Sequence, residues 1–132
     1  MITIELPMPY YKTNSKALMS MNVYRNAHFA ILSKFKASYG DLCRESMAKL
    51  DERQLELLMV TYELHTKPTK AGKPKIVDMM NVLSMVDKTF MDILVVDKWI
   101  IDDSIEHINY VRFKADAFSE RDYISVILEE KQ

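Results

Sequence analysis

Acidic residues, one lysine and one asparagine recur at helical spacing between positions 78 and 103 of this 132-residue chain. The pattern predicts a helix, which carries most of these residues on one side at about 100° per residue. A turn with a second acidic pair follows it. Carboxylates that come together from two places in a chain can hold a hard divalent cation, and Mg²⁺ sites for phosphate substrates are built this way. The polar residues concerned are Asp78, Asn81, Lys88, Asp92, Asp102 and Asp103.

Each of these residues also has an ordinary structural explanation. Asp78 is a suitable N-cap for the predicted helix. Lys88 and Asp92 have the i,i+4 spacing of a surface ion pair. Asn81 would be a polar residue of the first turn, and the segment 102–104 has the composition of a simple turn. The metal hypothesis therefore depends on the residues occurring together, not on any one of them.

The predicted helix from Asp78 has a broad apolar face beside its polar stripe. On a helical wheel the apolar residues fall between roughly 40° and 160° from Asp78, and the polar stripe lies just outside that range. We therefore expect the stripe to be partly shielded from water, where electrostatic interactions are stronger. Asp87 projects near 180°, away from the other acids, and is not expected to join them.

Length and composition predict one domain that spans 1–132, with enough apolar residues for a single core. The single cysteine excludes an intramolecular disulfide and a cysteine-based zinc cluster, and it suits a reducing compartment. No signal peptide or membrane span is evident. We expect a protein of the bacterial or phage-infected host cytoplasm, without a membrane partner or a small-molecule cofactor.

The net charge of −1 hides a marked asymmetry along the chain. Residues 1–75 contain 12 Lys and Arg against 7 Asp and Glu, whereas 76–132 contain 6 against 12. A nuclease needs cations for the DNA backbone and acids for a metal, which this division offers. An ordinary surface with both signs mixed is the alternative.

The order of predicted elements is β–α–β–α–β–β, typical of an α/β fold. We expect one mixed sheet of about four strands with two main helices packed on it. In the third strand, Ile108 and Phe113 are expected on opposite faces, because side chains alternate along a strand. The predicted strands are 2–6, 54–65 (central), 105–114 and 123–128. The first predicted helix spans 22–50, is capped by Asn22, and is bent or broken near Gly40. The second predicted helix begins at Asp78.

These motifs resemble the signature of RusA-type Holliday-junction resolvases. The resemblance covers about residues 75–113 and extends loosely to the first strand and the start of the first helix. It implies a small α/β homodimer that binds four-way DNA junctions and makes paired, symmetric nicks in recombination and repair. The matching motifs are Asp78-x-x-Asn81, Lys88-x-x-x-Asp92-x-Leu94 and Ile101-Asp102-Asp103.

The resemblance also implies a set of site residues and a cofactor, Mg²⁺, with Mn²⁺ as an alternative. It implies metal binding by Asp78 and Asp103, and it matches the family's motif lysine to Lys88 and its helical aspartate to Asp92. We expect Asp92 to join the metal-binding acids, and Asp102 to be catalytic with Asp78, Lys88, Asp92 and Asp103. Metal-assisted hydrolysis would then proceed by in-line attack of water on the phosphodiester. The residues expected to bind DNA are Lys12, Lys16, Arg25, Asn81 and the loop lysines Lys67, Lys70, Lys73 and Lys75.

This chain departs from the family pattern in two ways. Met80 stands where the family usually has a second aspartate, and a thioether is a poor Mg²⁺ ligand. Relative to the compact form of the family motif, four extra residues lie between Asn81 and Lys88, which is about one helical turn. We expect Asp92 and Asp102 to supply the missing charge.

Two other functions compete with the nuclease. A non-catalytic protein of the same fold would bind branched DNA without cutting it. A phage accessory protein would bind another protein through an apolar surface and would not bind DNA.

Overall fold

The computed structural model describes residues 1–10 and 17–131. Lys12 and Lys16, predicted to bind DNA, lie outside the described residues. The described elements follow the predicted order, except that the first predicted helix is two helices. They are β1 (Ile2–Leu6), α1 (Met21–Asn26), α2 (Phe29–Met47), β2 (Leu58–His65), α3 (Met79–Val96), β3 (Ile108–Asp116) and β4 (Tyr123–Glu130).

The four strands form one mixed sheet in the order β1-β4-β2-β3. β4 is antiparallel to both β1 and β2, whereas β2 and β3 are parallel. Parallel neighbours need a crossover connection, which α3 provides here. The predictions of an α/β fold, of a four-stranded mixed sheet and of a central second strand are confirmed.

The prediction of one long helix over 22–50 is wrong, because the chain leaves helical geometry at Ala27, with φ −81° and ψ 151°. The expected cap is also wrong. The side chain of Ser20, not Asn22, accepts a hydrogen bond from the backbone of the first turn of α1. His28 caps α2 through its ring nitrogen. Gly40 does not interrupt α2, which runs through it.

The third strand begins three residues later than predicted, because the chain first makes a hydrogen-bonded turn that ends at Ile108. A register shift then follows, in which Leu58 pairs with Ile108 but Met59 pairs with Tyr110. Such a bulge inserts an extra residue into one strand and reverses the alternation beyond it. Ile108 and Phe113 therefore both pack against the core, and the prediction of opposite faces is wrong.

The core lies between one face of the sheet and the described helices. Alternate residues of β2 are buried there, and the ring of Tyr62 contacts Phe90 of α3 and Phe113 of β3 edge to face. Complete burial of an aromatic or aliphatic side chain contributes roughly 1.5–3 kcal/mol each. No described helix is long and apolar enough to cross a bilayer.

Candidate metal and DNA site

Asp78 occupies the N-cap of α3. Its Oδ1 accepts a hydrogen bond from the backbone N–H of Asn81 at 3.2 Å, and its Oδ2 accepts one from the Asn81 side-chain amide at 2.6 Å. Capping satisfies backbone donors that the first turn of a helix leaves without partners. The pairing gives both residues a structural role, and it leaves the predicted metal role of Asp78 as a prediction.

Asp87 is the partly buried acid of α3. Its Oδ1 accepts a 2.8 Å hydrogen bond from the hydroxyl of the fully buried Tyr62. Burial raises the pKa of Asp87 above its ordinary value; the Tyr62 hydrogen bond lowers it, and the negative charge of Asp103 raises it further. The charge of Asp103 thus acts on Asp87, although the helical wheel directs Asp87 away from the other acids.

The spacing along α3 limits which acids can share an ion with Asp87. Asp87 is nine positions after Asp78, so their Cα atoms are about 14 Å apart in a regular helix. Two carboxylates that bind one Mg²⁺ at about 2.1 Å cannot span that distance. An ion held by Asp87 and Asp103 is therefore out of reach of Asp78 in the same chain, and the predicted Asp78–Asp103 pair stays a prediction.

Lys88 and Asp92 leave α3 about 100° and about 140° away from Asp87. Both are exposed, as is Asp78, so the prediction of a shielded stripe is wrong for these three residues. The Lys88 ammonium lies 5.6 Å from the centroid of the Tyr24 ring. Within the described residues, Lys88 and Asp92 do not form the i,i+4 ion pair that was the ordinary explanation of their spacing.

The second acidic pair lies in a turn that is anchored by buried neighbours. Trp99 and Ile100 are buried, and the Trp99 backbone N–H donates to the carbonyl of Leu94 at the end of α3. Asp102 accepts a 2.9 Å hydrogen bond from the Ser104 backbone, and its pKa is lowered mainly by hydrogen bonds from Ser104. Asp102 thus makes the expected turn contact, and Asp103 is exposed.

The loop lysines differ in their surroundings. Lys75 forms an ion pair with Asp122, with 2.6 Å between Nζ and Oδ2, so its charge is largely neutralised. Lys67, Lys70 and Lys73 are exposed and form no ion pair within the described part of the chain. These three lysines are therefore the better placed to meet a DNA phosphate. Arg25 of α1 is also exposed.

Other reactive groups and cavities lie away from the acids. The Cys43 thiol is buried, which raises its pKa to about 12, so it is protonated at neutral pH and no nucleophile. A cavity of about 680 Å³ lies between the end of β1 and the lysine loop. Its described lining includes Lys73 and Lys75 but none of the predicted metal-binding acids.

No protein-family model matches this chain, and no curated protein matches it either. The assignment of a function therefore depends on the residues and their geometry.

The chemistry of the acids suits a hard cation. The described residues contain no group of three or more His, Cys, Asp or Glu side chains that could hold a metal. Mg²⁺, however, is usually held by one or two carboxylates together with water and substrate phosphate oxygens. Asp87 and Asp103 supply two carboxylates from distant parts of the sequence, which fits that mode of binding. Sequence reasoning missed Asp87 because its partner lies on another element.

Proposed function

We propose that the protein is a Mg²⁺-dependent endodeoxyribonuclease that resolves four-way DNA junctions as a homodimer, in the manner of RusA-type enzymes. The observation that carries the proposal is the partly buried Asp87 carboxylate, whose Oδ1 accepts a 2.8 Å hydrogen bond from the fully buried Tyr62 hydroxyl and whose pKa is raised by burial and further by the charge of Asp103. A partly buried carboxylate that also feels a second negative charge is a cost to the free protein. A divalent cation between them removes that cost.

The side chains of this chain have distinct parts in the proposed reaction. Asp87 and Asp103 hold the cation, and the Tyr62 hydroxyl fixes the orientation of the Asp87 carboxylate. When bound, Mg²⁺ supplies a positive charge that stabilises the negative charge developing on the phosphate. Lys88 contacts the DNA backbone. Asp92 and Asp102 remain in the proposal as further acids near the cation, and Asp78 as an acid that the cation of its own chain does not reach; each is to be tested singly.

The proposed DNA surface consists of exposed cations. Lys67, Lys70 and Lys73 form one part of it, and Arg25 of α1 forms another. Lys75 contributes less, because Asp122 already neutralises it. Binding through phosphates releases counterions, so affinity for junction DNA should fall steeply as salt is raised.

The test is cleavage of a synthetic four-way junction in Mg²⁺ or Mn²⁺, with each strand labelled in turn. The wild type should nick two strands of like polarity at symmetric positions, and a ligase should seal the nicks. Asp87→Asn and Asp103→Asn should each lower the rate by at least 100-fold, since each removes a ligand of the cation. Asp41→Asn is the matched control, because the Asp41 side chain on α2 is 81 % exposed.

The non-catalytic alternative is favoured by one observation. Met80, which replaces an expected aspartate, is 57 % exposed, so it is a surface side chain available for contact rather than a core residue. If the wild type binds the junction tightly but cuts it in neither metal, this alternative replaces the nuclease. If it does not bind DNA even at low salt, a protein-binding accessory role is favoured instead.

A further inference from the structure

The three described helices meet at the ring of Tyr24. This half-buried residue of α1 lies where α1 and α2 pack against α3. The ammonium of Lys36, on α2, lies 5.4 Å from the ring centroid, and that of Lys88, on α3, lies 5.6 Å from it. The two ammonium groups are therefore at most about 11 Å apart. We call Tyr24, Lys36 and Lys88 the ring–lysine cluster.

The cluster holds two positive charges that form no ion pair with a carboxylate in the described part of the chain. Within the described residues, Lys36 and Lys88 form no ion pair. Asp92 lines the neighbouring groove between α2 and α3 together with Lys36, but it is not paired with either lysine there. An aromatic ring attracts a cation through its quadrupole and adds no net negative charge. The cluster therefore carries two positive charges against the one negative charge of Asp92, and is a favourable place for an anion.

The position of the cluster relates it to the proposed cation site. Asp87 and Lys88 are consecutive, so their Cα atoms are about 3.8 Å apart. Their side chains leave the helix about 100° apart, and the Lys88 ammonium is directed to Tyr24 rather than to the carboxylate pair. A DNA strand that crosses α3 at Asp87 and Asp103 would bring a neighbouring phosphate to the cluster.

We propose that Lys36 and Lys88 together bind one non-scissile phosphate of the DNA backbone, and that Tyr24 is the residue that positions them. The inference rests on the proposed function, since the phosphate belongs to the DNA that is cut. The ring holds both flexible side chains before DNA arrives, so less side-chain freedom is lost on binding. A phosphate shared by two lysines also explains why cations from two different helices converge on one ring.

The experiment measures junction affinity against salt concentration, with Ca²⁺ in place of Mg²⁺ and a fluorescent four-way junction as the probe. The double variant Lys36→Gln/Lys88→Gln should lower the slope of log K against log salt by about 0.9, the value for one phosphate. At 0.1 M salt this corresponds to a roughly eightfold loss of affinity. Lys49→Gln, an exposed lysine just beyond α2, is the matched control.

Two substitutions at Tyr24 separate positioning from mere packing. Tyr24→Phe keeps the ring face and should bind DNA as the wild type does. Tyr24→Leu removes the ring and should weaken binding about as much as the double lysine variant. Thermal unfolding of every variant shows whether the fold is intact. A Tyr24→Leu protein that is folded and binds like Tyr24→Phe would overturn the positioning role.

The slope of the double variant decides the phosphate site. An unchanged slope overturns it, and a drop of about 1.8 shows two separate phosphates and also overturns it. If the wild type cleaves the junction but the slope of the double variant is unchanged, the phosphate site is overturned and the proposed nuclease function stands. If the wild type binds the junction tightly but does not cleave it, the proposed nuclease function is overturned, and the slope of the double variant still decides the phosphate site. A wild type that does not bind the junction at low salt removes both.

Discussion

Burial, rather than position in a motif, distinguishes the acids of α3 from one another. Asp78 and Asp92 are exposed, whereas Asp87 lies against the sheet and accepts a hydrogen bond from Tyr62. A carboxylate with reduced access to water has a raised pKa and gains more from a cation than a fully solvated one does. Asp87 is therefore the acid of this helix whose chemistry differs most from that of an ordinary surface residue.

The raised pKa of Asp87 predicts how stability changes with pH. The folded state keeps the Asp87 proton to a higher pH than the unfolded state, where the pKa is near 3.8. Stability from this group is therefore full below that value and is lost as pH rises through the folded pKa. Asp87→Asn cannot ionise, so its melting temperature should exceed that of the wild type at neutral pH, and the difference should shrink below about pH 4.

Mg²⁺ provides the control for that measurement. It should raise the melting temperature of the wild type at neutral pH, because it binds only the folded state, and should leave that of Asp87→Asn nearly unchanged. If the melting temperatures of the two proteins change by the same amount between acid and neutral pH, the raised pKa of Asp87 is contradicted. An equal response of both proteins to Mg²⁺ would contradict Mg²⁺ binding by Asp87.

At the N-terminus of α3, capping and metal binding by Asp78 can be separated by substitution. Asp78→Ala removes the cap and should cost about 1 kcal/mol of folding free energy. Asp78→Ser keeps a capping oxygen and should unfold at nearly the wild-type temperature. If Asp78 also acts on the substrate, both variants should lose cleavage activity to the same extent. Normal cleavage by the serine variant would leave Asp78 with the capping role alone.

The elements show where local sequence preferences yield to packing. α2 continues through Gly40 although glycine disfavours helix, since the surrounding turns pack against α3. A Cβ atom added at Gly40 would lie 3.7 Å from the Ile93 Cδ1 atom, an ordinary contact distance. The packing at this position therefore does not require glycine, which lowers the stability of the helix.

The two glycines of the chain should respond to alanine in opposite directions. Gly40→Ala should stabilise the protein by about 0.5–1 kcal/mol, because it reduces the freedom of the unfolded chain and fits the available space. Gly72→Ala should destabilise by about 1 kcal/mol, because Gly72 has a φ of +77°, which side chains disfavour. Urea unfolding of both variants checks this, and a loss of stability in Gly40→Ala would show that α2 and α3 cannot accept the methyl group.

For the whole molecule, the sheet presents one face to the described helices and the other to its surroundings. Polar contacts satisfy that second face. His65 is buried there by stacking on Tyr123 and by hydrogen bonds with Ser119 and Ser125. Glu63 is paired with Lys114 of the neighbouring strand. A sheet with one apolar and one polar face is stable without a second layer of helices.

The proposed paired nicking requires two cation sites, which predicts a homodimer. Sedimentation of the wild type should give about twice the 15.5 kDa mass of one chain. Mixed dimers of wild type and Asp103→Asn should nick only one of the two strands, because each protomer then acts on its own strand. A monomer at the concentrations at which cleavage is seen would contradict paired action by a dimer.

The sequence by itself determined the fold class, the strand order along the chain and most element positions. The alternating apolar residues of β2 and the apolar face of α3 predict which side chains are buried. They do so because the spacing of the apolar residues equals the period at which side chains return to the same face of a strand or a helix. The break at Ala27 and the bulge before Met59 were not predictable in this way. The register shift is a property of the pairing of β2 with β3, and α2 begins at its own His28 cap, so neither follows from a hydrophobic repeat.

The candidate site also has a part that local sequence spacing predicts and a part that only the packing of the elements decides. The sequence was sufficient to single out the stretch from Asp78 to Asp103, since local spacing on one helix is readable without a fold. Only the tertiary structure placed the charge of Asp103 where it acts on Asp87, and Lys36 and Lys88 at one ring, because these residues belong to different elements. A helical wheel gives the direction in which a side chain leaves its own helix, but not which side chain another element places there. The physical reason is that long-range proximity follows from how the elements pack.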